Sequence, residues 1–293
     1  MFDRIRRRPD ASTLFDGARA ALDEGRFDEA RDGFQRAIAA GLDTPDAWFN
    51  LGLVHKLERQ WAESVRCSRR AAELDPGFRE VHWNLGVAAT AMRDWASARW
   101  AWRGLGIAVG DDEVPTADFG LSPVRLNPDA GAEVVWGVRI DPCRMRLESV
   151  PLPESGHRWH DVVLHDVVPR GQRLLDGRPV SVFDELLRMD PSDEATHVLV
   201  VSAPGEGSRD ALAATLAEAG LGVEDWTESI EMLCATCSLG EAHEHRDDGE
   251  VVAVWAQRRR LGVAGATARV EELADAWRRA EPGRAIESLE AVQ

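Results

Sequence analysis

The sequence predicts a multidomain protein, an all-α helical-repeat superhelix followed by an α+β region. Three observations carry this expectation. Like residues recur at an offset of 34 through the first third of the chain, with helical spacing inside each copy. Beyond residue 132, apolar residues alternate with a period of two, the spacing of a strand. The chain has 293 residues, 44% hydrophobic and 29% charged, enough for two or three domains with real cores.

The repeat justifies the first helices. Leu14, Trp48 and His82 align, as do Gly17, Leu51 and Leu85, then Ala18, Gly52 and Gly86. Phe27, Trp61 and Trp95 follow, then Ala30, Ser64 and Ala98, then Phe34, Ser68 and Trp102. Small residues fall where two helices approach closely, and large ones where a helix fills the gap beside its neighbour. First helices are expected over 11–24, 46–58 and 80–92, and second helices over 27–40, 61–74 and 95–106. Trp48-x2-Leu51-Gly52-x2-His55, Ala30-x3-Phe34 and the closing Leu74-Asp75-Pro76 resemble the tetratricopeptide repeat (TPR) family across residues 11–107. Ser64, Ser68, His55 and His82 depart from the family's usual residues.

The resemblance implies antiparallel helix pairs stacked around a concave groove that binds peptides or other proteins. By register, the groove would hold Phe15, Arg19, Phe49, Asn50, Leu53, Lys56, Trp83, Asn84 and Val87. Members that clamp a carboxylate terminus use groove lysines. Here Phe15, Phe49 and Trp83 stand in those places, which suits an amphipathic helix or extended apolar peptide. The array lacks a polar final helix, so its last pair, with Trp95, Trp100 and Trp102, needs cover from the C-terminal region or from a second copy in a homodimer.

Residues 108–132 read as a linker, broken by Pro115, Gly120, Pro123, Pro128 and Gly131. Residues 133–190 read as a β-rich subdomain. Val134, Trp136, Val138 and Ile140 alternate onto one face, as do Met145 with Leu147, Val162 with Leu164, and Val180 with Val182. Phe183 to Met189 would close it as a short helix.

Residues 191–293 read as an α+β subdomain. His197 to Val201 is a buried strand, Ser208 caps a helix bearing Leu212 and Leu216, and a strand follows near 222–228. Val251 to Ala256 is a further strand. Val270, Leu273, Ala274 and Trp277 form a helical stripe. This order suggests a ferredoxin-like sandwich.

Cys234, Cys237, His243 and His245 stand within twelve residues. Two thiolates across a tight turn, with two imidazoles on one side of an extended stretch, supply a tetrahedral N/S set that matches structural zinc. A redox Cys-x-x-Cys pair is an alternative. So is a hydrolytic zinc site, were one histidine to stay off the ion and Glu241 or Glu244 to act as base. His157, His160 and His165, near Asp161 and Asp166, form a second group, for which polar strand faces and turns are favoured over a metal or acid–base role.

Net charge is −16, and residues 109–293 hold 35 acids against 18 arginines, which disfavours nucleic acid. No apolar run is long enough for a membrane span, and no secretory signal is visible, so a cytoplasmic location is expected. The resulting expectation is a protein–protein interaction adaptor with a zinc-stabilised acidic C-terminal domain. The alternatives are a metal-dependent hydrolase whose repeats recruit substrate, or a redox protein. No nucleophile–base set is readable, so an enzyme is the less favoured reading.

Overall fold

The computed structural model describes residues 10–114, 116–227 and 255–292. It divides into two compact units, Met1–Ala117 and Asp118–Gln293.

The first unit contains α1 (Ala11–Asp23), α2 (Phe27–Ala39), α3 (Pro45–Leu57), α4 (Trp61–Leu74), α5 (Arg79–Ala91) and α6 (Trp95–Gly104). Each falls on its expected span. Local signals set the boundaries. The Asp10 carboxylate accepts from the Thr13 amide at 2.7 Å, Thr44 caps α3 ahead of Pro45, and Asp94 caps α6. The 34-residue period also appears in the backbone. Gly25, Arg59 and Arg93 occupy the same point of the three helix hairpins, with φ of 72°, 58° and 58°. That left-handed turn reverses the chain between paired helices.

Packing follows the large–small alternation. Trp102 is 1% exposed and lies against Gly86, where an added Cβ would stand 2.2 Å from the ring. In the first two repeats, Ala18, Ala30, Phe34, Leu51, Val54 and Cys67 form a buried cluster. Burial pushes the Cys67 thiol up to about 11, so it is a neutral packing residue.

The second unit begins with a closed barrel of β1 (Leu121–Leu126), β2 (Glu133–Arg139), β3 (Arg144–Leu147), β4 (Val162–Leu175) and β5 (Arg178–Asp190). Neighbouring strands are antiparallel, and β1 and β5 close the barrel in parallel through Val124 and Phe183. Strand β1 lies inside the stretch expected to be a linker. The interior holds Val124, Leu126, Val135, Met145, Leu147 and Val163. In β2 the buried residues are Val135 and Gly137, so the face shared by Val134, Trp136 and Val138 is the less buried one. Both faces of that strand are apolar, and the small residues fit the narrow interior. The Phe183–Met189 helix does not form. Those residues continue β5, paired with β4.

The chain then runs β6 (Thr196–Ser202), α7 (Glu206–Glu218), β7 (Gly222–Asp225), β8 (Arg258–Ala264), α8 (Thr267–Ala280) and β9 (Ala285–Ala291). The strands form one antiparallel sheet in the order β7-β8-β6-β9. Leu199 and Val201 of β6 and Leu261 and Val263 of β8 bury against Leu212, Leu216, Val270, Ala274 and Trp277 of the two helices. The opposite face meets Val150 through Trp226, Ala264 and Val198. Of the expected Val251–Ala256 strand only Trp255 and Ala256 are described, and both precede β8. Helix α7 is capped by Gly205 rather than Ser208, whose hydroxyl instead accepts from the Arg284 guanidinium at 2.7 Å.

Candidate protein-binding faces of the helical array

Successive first helices touch, α1 with α3 and α3 with α5. The expected groove residues therefore form parallel rows. Phe15, Phe49 and Trp83 make one row, and each ring packs onto another: Phe34 at 5.5 Å, Phe78 at 5.0 Å and Trp102 at 5.5 Å. These half-buried rings spend much of their apolar area on the fold itself. Asn50 and Leu53 are half-buried, and the Asn50 amide donates to the Asp46 carbonyl at 2.8 Å. Arg19 is exposed, whereas Lys56, Asn84 and Val87 are buried. The Asn84 amide nitrogen is buried without a hydrogen-bond acceptor.

A more open apolar surface lies between α4 and α6. A hollow of about 530 Å³ is walled by Ala72, Pro76, Leu85 and Trp100, with Arg69 and Glu73 among its polar lining. Trp100 is 51% exposed and packs, tilted, against the His82 ring at 4.9 Å. His82 is fixed in turn by a 2.9 Å hydrogen bond to the Pro76 carbonyl. The sequence places Trp100 on a face that needs cover, but it does not give the hollow beside it. The signal was present, because Trp100 occupies the register of Asp32 and Arg66, both solvent-facing charges.

Cys234, Cys237, His243 and His245 lie outside the described residues. Among the described residues, no group of three or more His, Cys, Asp or Glu side chains is placed to hold a metal ion. The second histidine group is used structurally. His157 bonds Glu185 at 2.7 Å; burial lowers its pKa, and the hydrogen bond and charge of Glu185 more than reverse this. His160 stacks on Trp159 at 3.5 Å. His165 is fully buried and held down to about 4, mainly by desolvation, so it is neutral near pH 7.

Glu133 titrates in the opposite sense. Burial raises its carboxyl to about 7, although it accepts from the Leu152 amide at 3.0 Å. The His165 contribution to stability is complete above its unfolded value of 6.5 and is lost as pH falls towards 4. The Glu133 penalty is absent below 4.5, grows as pH rises and is complete above about 7. Glu133→Gln is therefore expected to stabilise the chain by about 1–3 kcal/mol at pH 8 and to change little at pH 4. Urea midpoints at the two pH values check this; an equal effect at both would contradict it.

The pairing of helices at a fixed offset, with small residues at each crossing, defines the first unit as a helix-pair solenoid. A family model for the tetratricopeptide repeat matches residues 15–59. Solved structures with a similar array include the first TPR of Spaghetti (RPAP3) bound to the HSP90 peptide SRMEEVD, at 18% identity over 33% of this chain and 76% of that one, with TM-score 0.32. The TPR2B domain of yeast Sti1 in complex with pHsp70 is similar at 16% identity, over 32% of this chain and 75% of that one, with TM-score 0.31. The Sgt2 TPR domain from Aspergillus fumigatus is similar at 21% identity, over 36% and 72% of the two chains, with TM-score 0.31. Comparison with curated protein sequences returned no match.

Proposed function

We propose that this chain is a protein–protein interaction adaptor whose helical array binds an apolar or amphipathic segment of a partner protein. One observation carries the reading. Trp100 stands half out of the fold over an apolar hollow, at a register where the other repeats place charge. Exposing such a ring is costly, and burying it in a partner recovers about 2–3 kcal/mol. Aromatic rings in apolar hollows are the usual anchors of protein recognition. Peptides selected on the immobilised chain from a random display library should be rich in Leu, Ile, Phe and Trp, and replacing Trp100 by alanine should lower their retention. Selection of purely acidic or basic sequences, or none, would contradict the reading. The concave groove is the second face of the same module, and retention on Trp83→Ala separates the two.

The C-terminal half of the reading is a ferredoxin-like sandwich. It is supported by the strand–helix–strand–strand–helix–strand order and the β7-β8-β6-β9 arrangement among the described residues. Structural zinc on Cys234, Cys237, His243 and His245 is supported by ligand type and spacing alone. Elemental analysis should find about one zinc per chain, lost on Cys234→Ser. A native chain free of zinc after expression in zinc-supplemented medium would remove the ion from the account. Among the described residues, no helix is long and apolar enough to cross a membrane.

A further inference from the structure

Strands β4 and β5 outrun the barrel. They have 14 and 13 residues, against 6, 7 and 4 in β1, β2 and β3. Strand β3 pairs with β4 only over residues 162–164, and β1 pairs with β5 only at Phe183 and Asp184. Between these points, residues 169–182 pair only with each other, around a turn at Asp176 and Gly177 with φ of 50° and 74°. Both outer edges of this ribbon are therefore unpaired among the described residues. A two-stranded ribbon standing alone is marginal in water, and its free backbone groups are a template for a further strand.

One face of the ribbon leads to an uncommitted cation. Leu174, 71% exposed, lies opposite Pro179, and Pro179, Ser181 and Phe183 alternate onto the same side. The Phe183 ring carries the Arg139 guanidinium at 4.9 Å, and the exposed ring of Phe119 flanks it at 5.4 Å. Arg139 is half-buried. The one hydrogen bond of its guanidinium among the described residues goes to the Pro142 carbonyl, at 2.8 Å, and its Nε is buried with no acceptor. Asp141, the carboxylate whose charge reaches it, already accepts from the Arg144 guanidinium and from the amides of Cys143 and Arg144.

The geometry points to this face as the docking site of an extended acidic–apolar segment of a partner protein. The segment adds as a strand to a free edge of the ribbon, its alternate apolar side chains cover Leu174, Pro179 and Phe119, and an Asp or Glu meets Arg139. A half-buried guanidinium without a carboxylate contact of its own favours that anion over a neutral or basic group. The chain carries a net charge of −16, which opposes loose capture of an acidic segment, so binding depends on Arg139. The surface belongs to the second unit and the hollow beside Trp100 to the first, so the chain offers two independent partner sites.

The full chain carrying Trp100→Ala separates this surface from the hollow between α4 and α6. Peptides selected on that chain from a random display library should interleave Asp or Glu with Leu, Ile, Val or Phe. The best of them, synthesised with a fluorescent label, should slow amide exchange within residues 169–182 when it binds. Its dissociation constant should rise at least about tenfold in Arg139→Gln and in Leu174→Ser, each added to the same background. Leu174 is exposed, so circular dichroism of the Leu174→Ser chain should match its parent, and that variant reads the docking even if Arg139→Gln loosens the barrel. Selection of sequences without acids, or of none, would overturn the inference. So would equal affinity in the parent and both variants, or unchanged exchange in the ribbon. A sedimenting dimer that Leu174→Ser splits into monomers would assign the ribbon to a second copy and would overturn it too.

Discussion

Replacing Trp102 by alanine is expected to cost the N-terminal unit about 3–5 kcal/mol. The indole is almost fully buried between α5 and α6, within 5.5 Å of the Trp83 ring and flat against the backbone of Gly86. The α5 residue lying against the ring is Gly86, which has no side chain to fall into the space. The loss therefore combines the transfer of an aromatic ring with a cavity that stays open. The converse change should also be severe. Gly86→Leu places its Cβ 2.2 Å from the native ring and overpacks the crossing. The two changes together should cost less than the sum of the two alone, because each removes the other's conflict. Urea unfolding followed by helical circular dichroism checks all three chains. Strict additivity, or a loss below about 1 kcal/mol for Trp102→Ala, would contradict the packing described.

Trp226→Ala should destabilise the second unit by a similar amount, about 3–5 kcal/mol. The ring is 1% exposed, approaches Gly262 so closely that a Cβ there would stand 2.2 Å away, and donates to the Val150 carbonyl at 2.9 Å. It joins the free face of the four-stranded sheet to the segment that follows β3, with Ala264, Leu152 and Trp159 around it. The Arg260 guanidinium lies 5.0 Å from the ring and adds a cation–π contact. Trp226→Phe keeps part of the packing but strands the Val150 carbonyl, at about 1–2 kcal/mol. Chemical denaturation of the three chains should therefore rank native, Phe, Ala. Equal midpoints for the Phe and Ala variants would show that packing contributes little there.

The helical third was legible because its information is local and repeated. Each helix carries its own cap or turn residue, and the 34-residue offset checks one copy against the next. The β region was legible in outline only. Phe183 to Met189 has the spacing of a short amphipathic helix, yet pairing with β4, far away in space until the chain folds, decides for strand. Pro123 and Gly120 look like linker punctuation, but β1 starts between them. Strand β8 opens with Arg258-Arg259-Arg260, which reads as solvated surface. Arg259 is in fact buried, with its guanidinium 4.0 Å from the Trp255 ring and 3.5 Å from Asp225. Strand β9 lies past Pro282 and carries charges, so nothing local announced it.

The site was half legible. Register put Phe15, Phe49 and Trp83 at one repeat position, but it could not show that each already packs against a ring of the same unit. The hollow at Trp100 needed a comparison of surface registers, since Trp100 stands in the column of Asp32 and Arg66.

Hydrogen exchange of the chain with and without a display-selected apolar peptide tests the adaptor reading most directly. Binding through the hollow predicts slowed exchange in α4 and α6 around Arg69, Ala72 and Trp100, and a dissociation constant raised at least about tenfold by Trp100→Ala. Protection confined to residues 118–292, or affinity unchanged in Trp100→Ala and Trp83→Ala alike, would show that the helical array is not the binding element.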